Sequence, residues 1–286
     1  MTAPSPSDTL KPVLILGSGP DAPRAADWPR DWFSAICVLN TAHRVRSDWT
    51  HGLFASDIPL DRIPLPRPGR EIVAVKDLTG AQDAFGSYML CGETMALTAG
   101  YWALRTFPGR PLLWFGCDMI YDTDEDDIAS GIAPGTSHFY GAGTADPLRF
   151  HTSLLSLPAK SARLFAMALL NKSPVFNLSE RKRSNIIFPR LPASQATTID
   201  VPATLTHQQG YQHNGYALEA VRHETAFRNR MSQRGMSRVS LQTLMTINGL
   251  WLDAFRKGPG NAQNPVPGAT VGAFEPAELE LRLQFR

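Results

Sequence analysis

The chain is poor in cysteine: Cys37, Cys91 and Cys117 are the only 3 among 286 residues. They share no metal-ligand spacing, and an odd count builds no disulfide framework, so the pattern points to a reducing, cytoplasmic compartment. Charge of either sign is also scarce in balance, 28 Lys+Arg against 26 Asp+Glu for a formal net charge of +2. A protein built around nucleic acid carries a stronger basic bias, so that partner is not expected. No apolar run approaches the roughly 20 residues of a membrane span. The opening Met1-Thr-Ala-Pro-Ser-Pro6 lacks the basic-then-apolar plan of a secretory signal. Two catalytic signatures are missing as well: the Gly-x-x-x-x-Gly-Lys-Ser/Thr phosphate loop and the Gly-x-Ser-x-Gly nucleophile elbow. No internal repeat stands in for them.

What is present is a soluble-type composition, 43% hydrophobic and 19% charged, organised as short apolar runs between breakers. Val13-Leu-Ile-Leu16 runs straight into Gly17-Ser-Gly19, the mark of a strand buried on both faces that ends in a glycine turn. Further strands are expected at 35–40, 52–55, 71–75 and 111–116, and another at Val175-Phe-Asn-Leu178. Helical periodicity covers Leu90 to Arg105 and Ser161 to Asn171, then Gly215–Met231 and Ser240–Arg256. Strand and helix alternating with short connections predict an α/β chain with a Rossmann-like, doubly wound, mostly parallel sheet. Residues 1–11 read as a loose tail, 12–192 as the nucleotide-binding and catalytic domain, and 193–286 as a helical C-terminal extension. The long loop from Tyr121 to Gly143 reads as a lid.

Polar residues at strand ends are where such sheets bind ligands. Backbone N–H groups of Gly17 and Gly19 are placed to surround a phosphate. A structural glycine turn would use the same residues. Asn40 ends the second strand, and Asp57 and Asp118 end two others. Those carboxylates suit Mg²⁺ held against a diphosphate. The acidic run Asp122–Asp127 and the basic run Arg181–Arg183, with Arg190 beyond it, read most simply as solvated faces. His138 sits in the loop between Gly135 and Gly141; histidine titrates near neutrality and suits a general base, although a plain loop histidine fits too. Tyr121 and Tyr140 are at hand to stabilise charge on a departing phosphate.

Several segments occur together in order: Leu16-Gly-Ser-Gly-Pro20, Val38-Leu-Asn40, Cys91-Gly92 opening a helix, Phe115-Gly-Cys-Asp118, Ser137-His-Phe-Tyr-Gly141 and Val175-Phe-Asn-Leu-Ser179. Over roughly residues 12–190 the chain thereby resembles the bacterial family-42 sialyltransferases and the related 6-hydroxymethylpterin diphosphokinase-like proteins. The resemblance implies a Rossmann-like sheet with a lid, taking a CMP-linked sugar donor and a glycan acceptor with no metal or other cofactor required. It implies that Gly17, Ser18, Gly19, Pro20 and Asn40 hold the nucleotide, with Gly116 and Asp118 shaping the site. Cys91 and Gly92 would stand where the family presents small hydroxyl residues, and His138 where it keeps its base.

This chain departs from the family pattern at four points. Ser18 replaces an asparagine, Cys91 a hydroxyl residue, Tyr121 comes one residue late, and Phe85-Gly-Ser-Tyr88 stands where an arginine often precedes the helix. The expected activity is transfer of a sialic-acid-like sugar to a glycan hydroxyl. A Mg²⁺-dependent pterin-type pyrophosphokinase and a non-catalytic nucleotide-sugar-binding protein are the alternatives, and self-association is left open.

Overall fold

Val13–Leu16 forms β1, the inner strand of a six-stranded, entirely parallel sheet of order β4-β3-β2-β1-β5-β6. The computed structural model describes residues 10–141, 156–209, 215–234 and 240–257. The other strands are β2 (Ala35–Leu39), β3 (His51–Leu53), β4 (Glu71–Val73), β5 (Leu112–Phe115) and β6 (Val175–Asn177). β1 pairs with β2 from Val13↔Ala35 and with β5 from Val13↔Leu112. Every residue of β1, β2 and β5 is buried, which explains apolar runs without polar alternation. The sequence reading of an α/β, Rossmann-like sheet holds.

Alternate residues of each strand feed two cores. Val13, Ile15, Ala35, Cys37, Leu112 and Trp114 face a thick helical layer. It contains α1 (Val75–Ala84), α2 (Tyr88–Cys91), α3 (Met95–Thr106) and α5 (Leu157–Leu170). Leu14, Leu16, Ile36, Val38, Leu113 and Phe115 face a thinner layer of 3₁₀ turns and loops, including Ala22–Asp27 and Ala193–Gln195. Trp28 and Trp49 cover that second face, the Trp28 ring packing tilted against Phe115 with centroids 4.6 Å apart. The two layers are therefore unequal in depth.

The single helix expected over Leu90–Arg105 is two helices. Gly92 adopts φ +86, a conformation that favours glycine, and closes α2. Thr94 then caps α3, its side chain accepting from the Leu97 amide. Cys91-Gly92 thus ends one helix instead of opening the next.

The Tyr121–Gly143 region carries a short helix, α4 (Glu125–Ala129), started by a capping box between Asp124 and Asp127. Its last two residues, Ala142 and Gly143, lie outside the described residues, as do most of the tail and everything after Lys257. The C-terminal helices are α6 (Val201–Gln209), α7 (Gly215–Arg234) and α8 (Leu241–Arg256). Ala217, Ala220 and Phe227 of α7, and Leu244, Ile247, Trp251 and Phe255 of α8, join the same core as the helical face of the sheet. Among the described residues no helix is long and apolar enough to cross a membrane.

Candidate functional site

The strand order runs outward from β1 in one direction through β2, β3 and β4, and in the other through β5 and β6. The crevice beyond the carboxyl ends of β1 and β5 is therefore the switch point where such sheets take ligands. Gly17–Asp21 leaves one of these strands and Gly116–Asp118 the other.

The two turns touch backbone to backbone. Gly17 N–H donates to the Phe115 carbonyl at 2.8 Å, and Gly19 N–H to the Gly116 carbonyl at 2.7 Å. A Cβ on Gly17 would lie 2.3 Å from Gly116 O, and one on Gly19 would lie 2.9 Å from it. Glycine is required here by close approach of main chains. The amides of Gly17 and Gly19 are committed to β5, whereas the Ser18 N–H makes no backbone hydrogen bond among the described residues.

Ser18 also receives the loop. Phe139 N–H donates to the Ser18 carbonyl at 3.0 Å, and Ser18 Oγ lies 2.9 Å from His138 Nδ1. The histidine is held from its own side by a small bridge: its N–H donates to the Gly141 carbonyl at 3.2 Å and the Gly141 N–H returns to its carbonyl at 3.0 Å. Its ring stacks on Tyr140 with centroids 5.0 Å apart and planes 3° from parallel. Burial holds the His138 pKa below its ordinary value, against the Ser18 backbone, which favours the proton. The imidazole is accordingly neutral at pH 7, fit to accept a proton. Tyr140 and Tyr121 stand on the exposed side of the loop.

The same two turns carry two acids. Asp118 is 2% exposed; its Oδ2 accepts from Ser179 Oγ at 2.7 Å, while its Oδ1 is enclosed with no hydrogen-bond partner. Both carboxylate oxygens of Asp21 are likewise enclosed and unpartnered. Burial, reinforced by the Asp118 charge, raises the Asp21 pKa to about 7, against its own backbone amide and the Arg181 and Arg24 charges. Burial also raises Asp118, opposed by the nearby Ser184 and Ser179 hydroxyls and by Arg181 and Arg190. Arg190 donates to the Ser179 and Lys182 carbonyls and forms no ion pair among the described residues.

The acidic and basic runs are not simply solvated faces. Arg181 meets Asp127 through two bonds, 2.9 and 2.7 Å, with both side chains 4% exposed. Arg183 reaches Asp122, Asp124 and Asp127, and the Lys182–Asp126 and Arg183–Asp122 pairs lie toward solvent. The ion pairs between the two charge runs tie the loop to the end of β6.

The remaining sequence candidates have other surroundings. Asn40, at φ +49, accepts the Ala55 N–H on its Oδ1 at 2.9 Å, tying the end of β2 to the segment after β3. Pro20 is half-buried beside the glycine turn. Cys91 is fully buried; its thiol donates to the Gln82 carbonyl and accepts from Arg163, and burial raises its pKa. The Gly92 carbonyl accepts from Gln82 Nε2 at 2.8 Å. Asp57 is exposed on its loop. The crevice thus gathers Gly17, Ser18, Gly19, Gly116, Asp118 and His138, and adds Asp21, Ser179 and Arg190, which sequence reasoning did not place there. The signal for Asp21 was its position directly after the glycine turn. Among the described residues no group of 3 or more His, Cys, Asp or Glu side chains is arranged to hold a metal ion.

Compared with protein-family models, curated proteins and solved structures, the chain matches none.

Proposed function

We propose that this protein transfers a sugar, of the sialic-acid-like class, from a nucleotide-activated donor to an acceptor hydroxyl, with His138 as general base. The observation that carries the reading is the 2.9 Å contact of His138 Nδ1 with Ser18 Oγ, which brings a neutral loop histidine onto the β1 turn. With Nδ1–H donating to Ser18 Oγ, Nε2 keeps its lone pair for the acceptor hydroxyl proton. The acceptor oxygen then attacks the anomeric carbon, the bond from that carbon to the donor's phosphate oxygen breaks, and the nucleotide leaves with the electron pair. Arg190 and the Tyr121 and Tyr140 hydroxyls are the groups available to meet the growing negative charge.

A panel of cytidine, uridine, guanosine and adenosine nucleotides in a thermal-shift titration tests the binding half. A ligand at a hundred times its dissociation constant adds about 2.7 kcal/mol of stability, which such a titration detects. Donor turnover that falls roughly 10²- to 10⁴-fold in His138→Ala tests the base. Nucleotide binding with no turnover in any donor–acceptor pair would instead support a non-catalytic nucleotide-sugar-binding protein. The enclosed oxygens of Asp21 and Asp118 favour a second reading, Mg²⁺-dependent pyrophosphoryl transfer, which a stabilising shift seen only with ATP and Mg²⁺ would support.

A further inference from the structure

We infer that Asp21 and Asp118 hold a divalent cation, Mg²⁺ by its chemistry, between themselves and the phosphate of a bound nucleotide; the phosphate part rests on the reading above. Three carboxylate oxygens, both of Asp21 and Oδ1 of Asp118, are shut from solvent with no partner at hydrogen-bonding geometry, although the Asp21 amide and the Ser184 hydroxyl lie near the two acids. A buried carboxylate without donors is costly, so the arrangement calls for a species that supplies positive charge in little space.

The surrounding cations do not meet that demand. Arg24 is spent on Glu180 through two 2.9 Å bonds. Arg181 is spent on Asp127, and Arg190 on two backbone carbonyls. These arginines favour the acids' negative charge only through space; among the described residues none forms an ion pair with Asp21 or Asp118.

The ligand's own charge sharpens the argument. A nucleotide phosphate at the β1–β5 crevice would approach two carboxylates with the Gly17 and Gly19 amides already committed to β5. Like charges brought together in an enclosed crevice repel strongly. A hard cation between them reverses the sign. Mg²⁺ is typically bound by one or two carboxylates plus substrate phosphate and water, which is the set available here. With no third ligating side chain among the described residues, the ion has to borrow the phosphate. Metal and nucleotide therefore bind synergistically, each raising the other's affinity by the same factor.

The experiment uses Mn²⁺ as a spectroscopic probe, titrated into the full chain by electron paramagnetic resonance with and without CDP or ATP. Asp21→Asn is the decisive variant, since it keeps the side-chain shape and removes the charge, with its fold checked by the unfolding midpoint, and Asp57→Asn on an exposed loop is the control. Expected are Mn²⁺ affinity at least tenfold higher with nucleotide, and a tenfold or greater loss in Asp21→Asn but not in Asp57→Asn. Nucleotide binding that is equally tight in EDTA and in Asp21→Asn overturns the ion site while leaving the transferase reading intact. If no nucleotide binds yet Mn²⁺ binding depends on Asp21, the nucleotide reading falls and the ion site stands. Mn²⁺ binding indifferent to Asp21 overturns the inference outright.

Discussion

Ser18 Oγ and His138 Nδ1 lie 2.9 Å apart although 120 residues separate them in the chain. A serine hydroxyl can donate or accept, so the contact suits either tautomer, and a base at Nε2 requires the one in which Nδ1–H donates to Ser18 Oγ. Ser18→Ala removes the hydroxyl and leaves the Phe139-to-Ser18 backbone bond. Turnover should fall roughly 10- to 100-fold, less than in His138→Ala, with donor KM little changed. Unfolding free energy should change by only about 1 kcal/mol, the worth of one partly buried hydrogen bond. Ser18→Thr, which restores a hydroxyl, should recover part of the rate. Equal turnover in Ser18→Ala and the wild type would remove the serine from the mechanism.

Burial pushes the His138 pKa below 6.5, its ordinary value. A base must be deprotonated, so log(kcat/KM) should stay flat through neutrality and fall with unit slope only in acid, with a midpoint below 6.5. The profile is read from initial rates in buffers of constant ionic strength. A midpoint above 7 would assign the limb to another group and exclude His138 as the titrating base.

Gly17→Ala tests the close approach of the β1 and β5 turns independently of any ligand. Its Cβ would lie 2.3 Å from Gly116 O and 2.6 Å from Cys117 Sγ, so backbone has to shift. The expected loss is about 3 kcal/mol or more, at the upper end for overpacking. Gly19→Ala, with its nearest contact at 2.9 Å, should lose less. Urea midpoints give both, and the reverse order would place the tighter contact elsewhere.

β1, β2, β5 and β6 were legible because each is a short apolar run closed by Gly or Asn, and their full burial leaves no polar alternation to misread. The break at Gly92 was not: Met95, Ala96, Ala99 and Trp102 carry helical spacing, while the positive φ depends on what Gln82 and Leu97 place around the glycine. His138 was legible as chemistry in a loop, but its partner was not, since nothing local to Ser18 specifies a residue 120 positions away. Arg181 and Asp127 read as solvated charges because composition cannot show that opposite runs 54 residues apart meet and bury each other. Asp21 was passed over for the same reason: a turn aspartate is ordinarily exposed, and here tertiary packing closes over it.

Lys160 on α5 is 1% exposed, and its ammonium donates to the Met89 carbonyl. Burial, aided by the Arg163 charge, lowers its pKa to about 8 from 10.5. Between those values the unfolded chain holds more protons than the folded one, so stability should rise with pH from about 8 to about 10.5. Lys160→Met keeps the volume and removes the charge. It should abolish that slope and gain about 2 kcal/mol at pH 7, less than the full shift because the bond to Met89 is lost. Urea titrations at pH 7 and pH 10 check the slope directly.

Glu224 of α7 joins the C-terminal helices to the sheet domain. It accepts from Arg163 Nε at 2.6 Å and Nη2 at 2.9 Å, and from Trp251 Nε1 of α8 at 2.6 Å. Arg163 in turn donates to the Tyr101 hydroxyl of α3 at 2.8 Å and to the Phe85 carbonyl. Removing one partner strands the other charge in the core, so Glu224→Ala should cost 3 kcal/mol or more, within the roughly 3–5 kcal/mol typical of a broken buried pair. Arg163→Met combined with Glu224→Leu leaves no stranded charge and should cost less than the sum of the single changes. The same packing bears on the division drawn at residue 192 from sequence. Ending the chain there would expose the face of α5 that carries Phe165, whose ring sits edge-on 5.2 Å from Phe255 of α8, and would leave Arg163 unpaired. A 12–192 fragment should therefore be degraded by protease under conditions where the full chain resists, and should show no dispersed amide spectrum. A fragment that folds cooperatively by itself would make α7 and α8 an addition to the domain instead of part of its core.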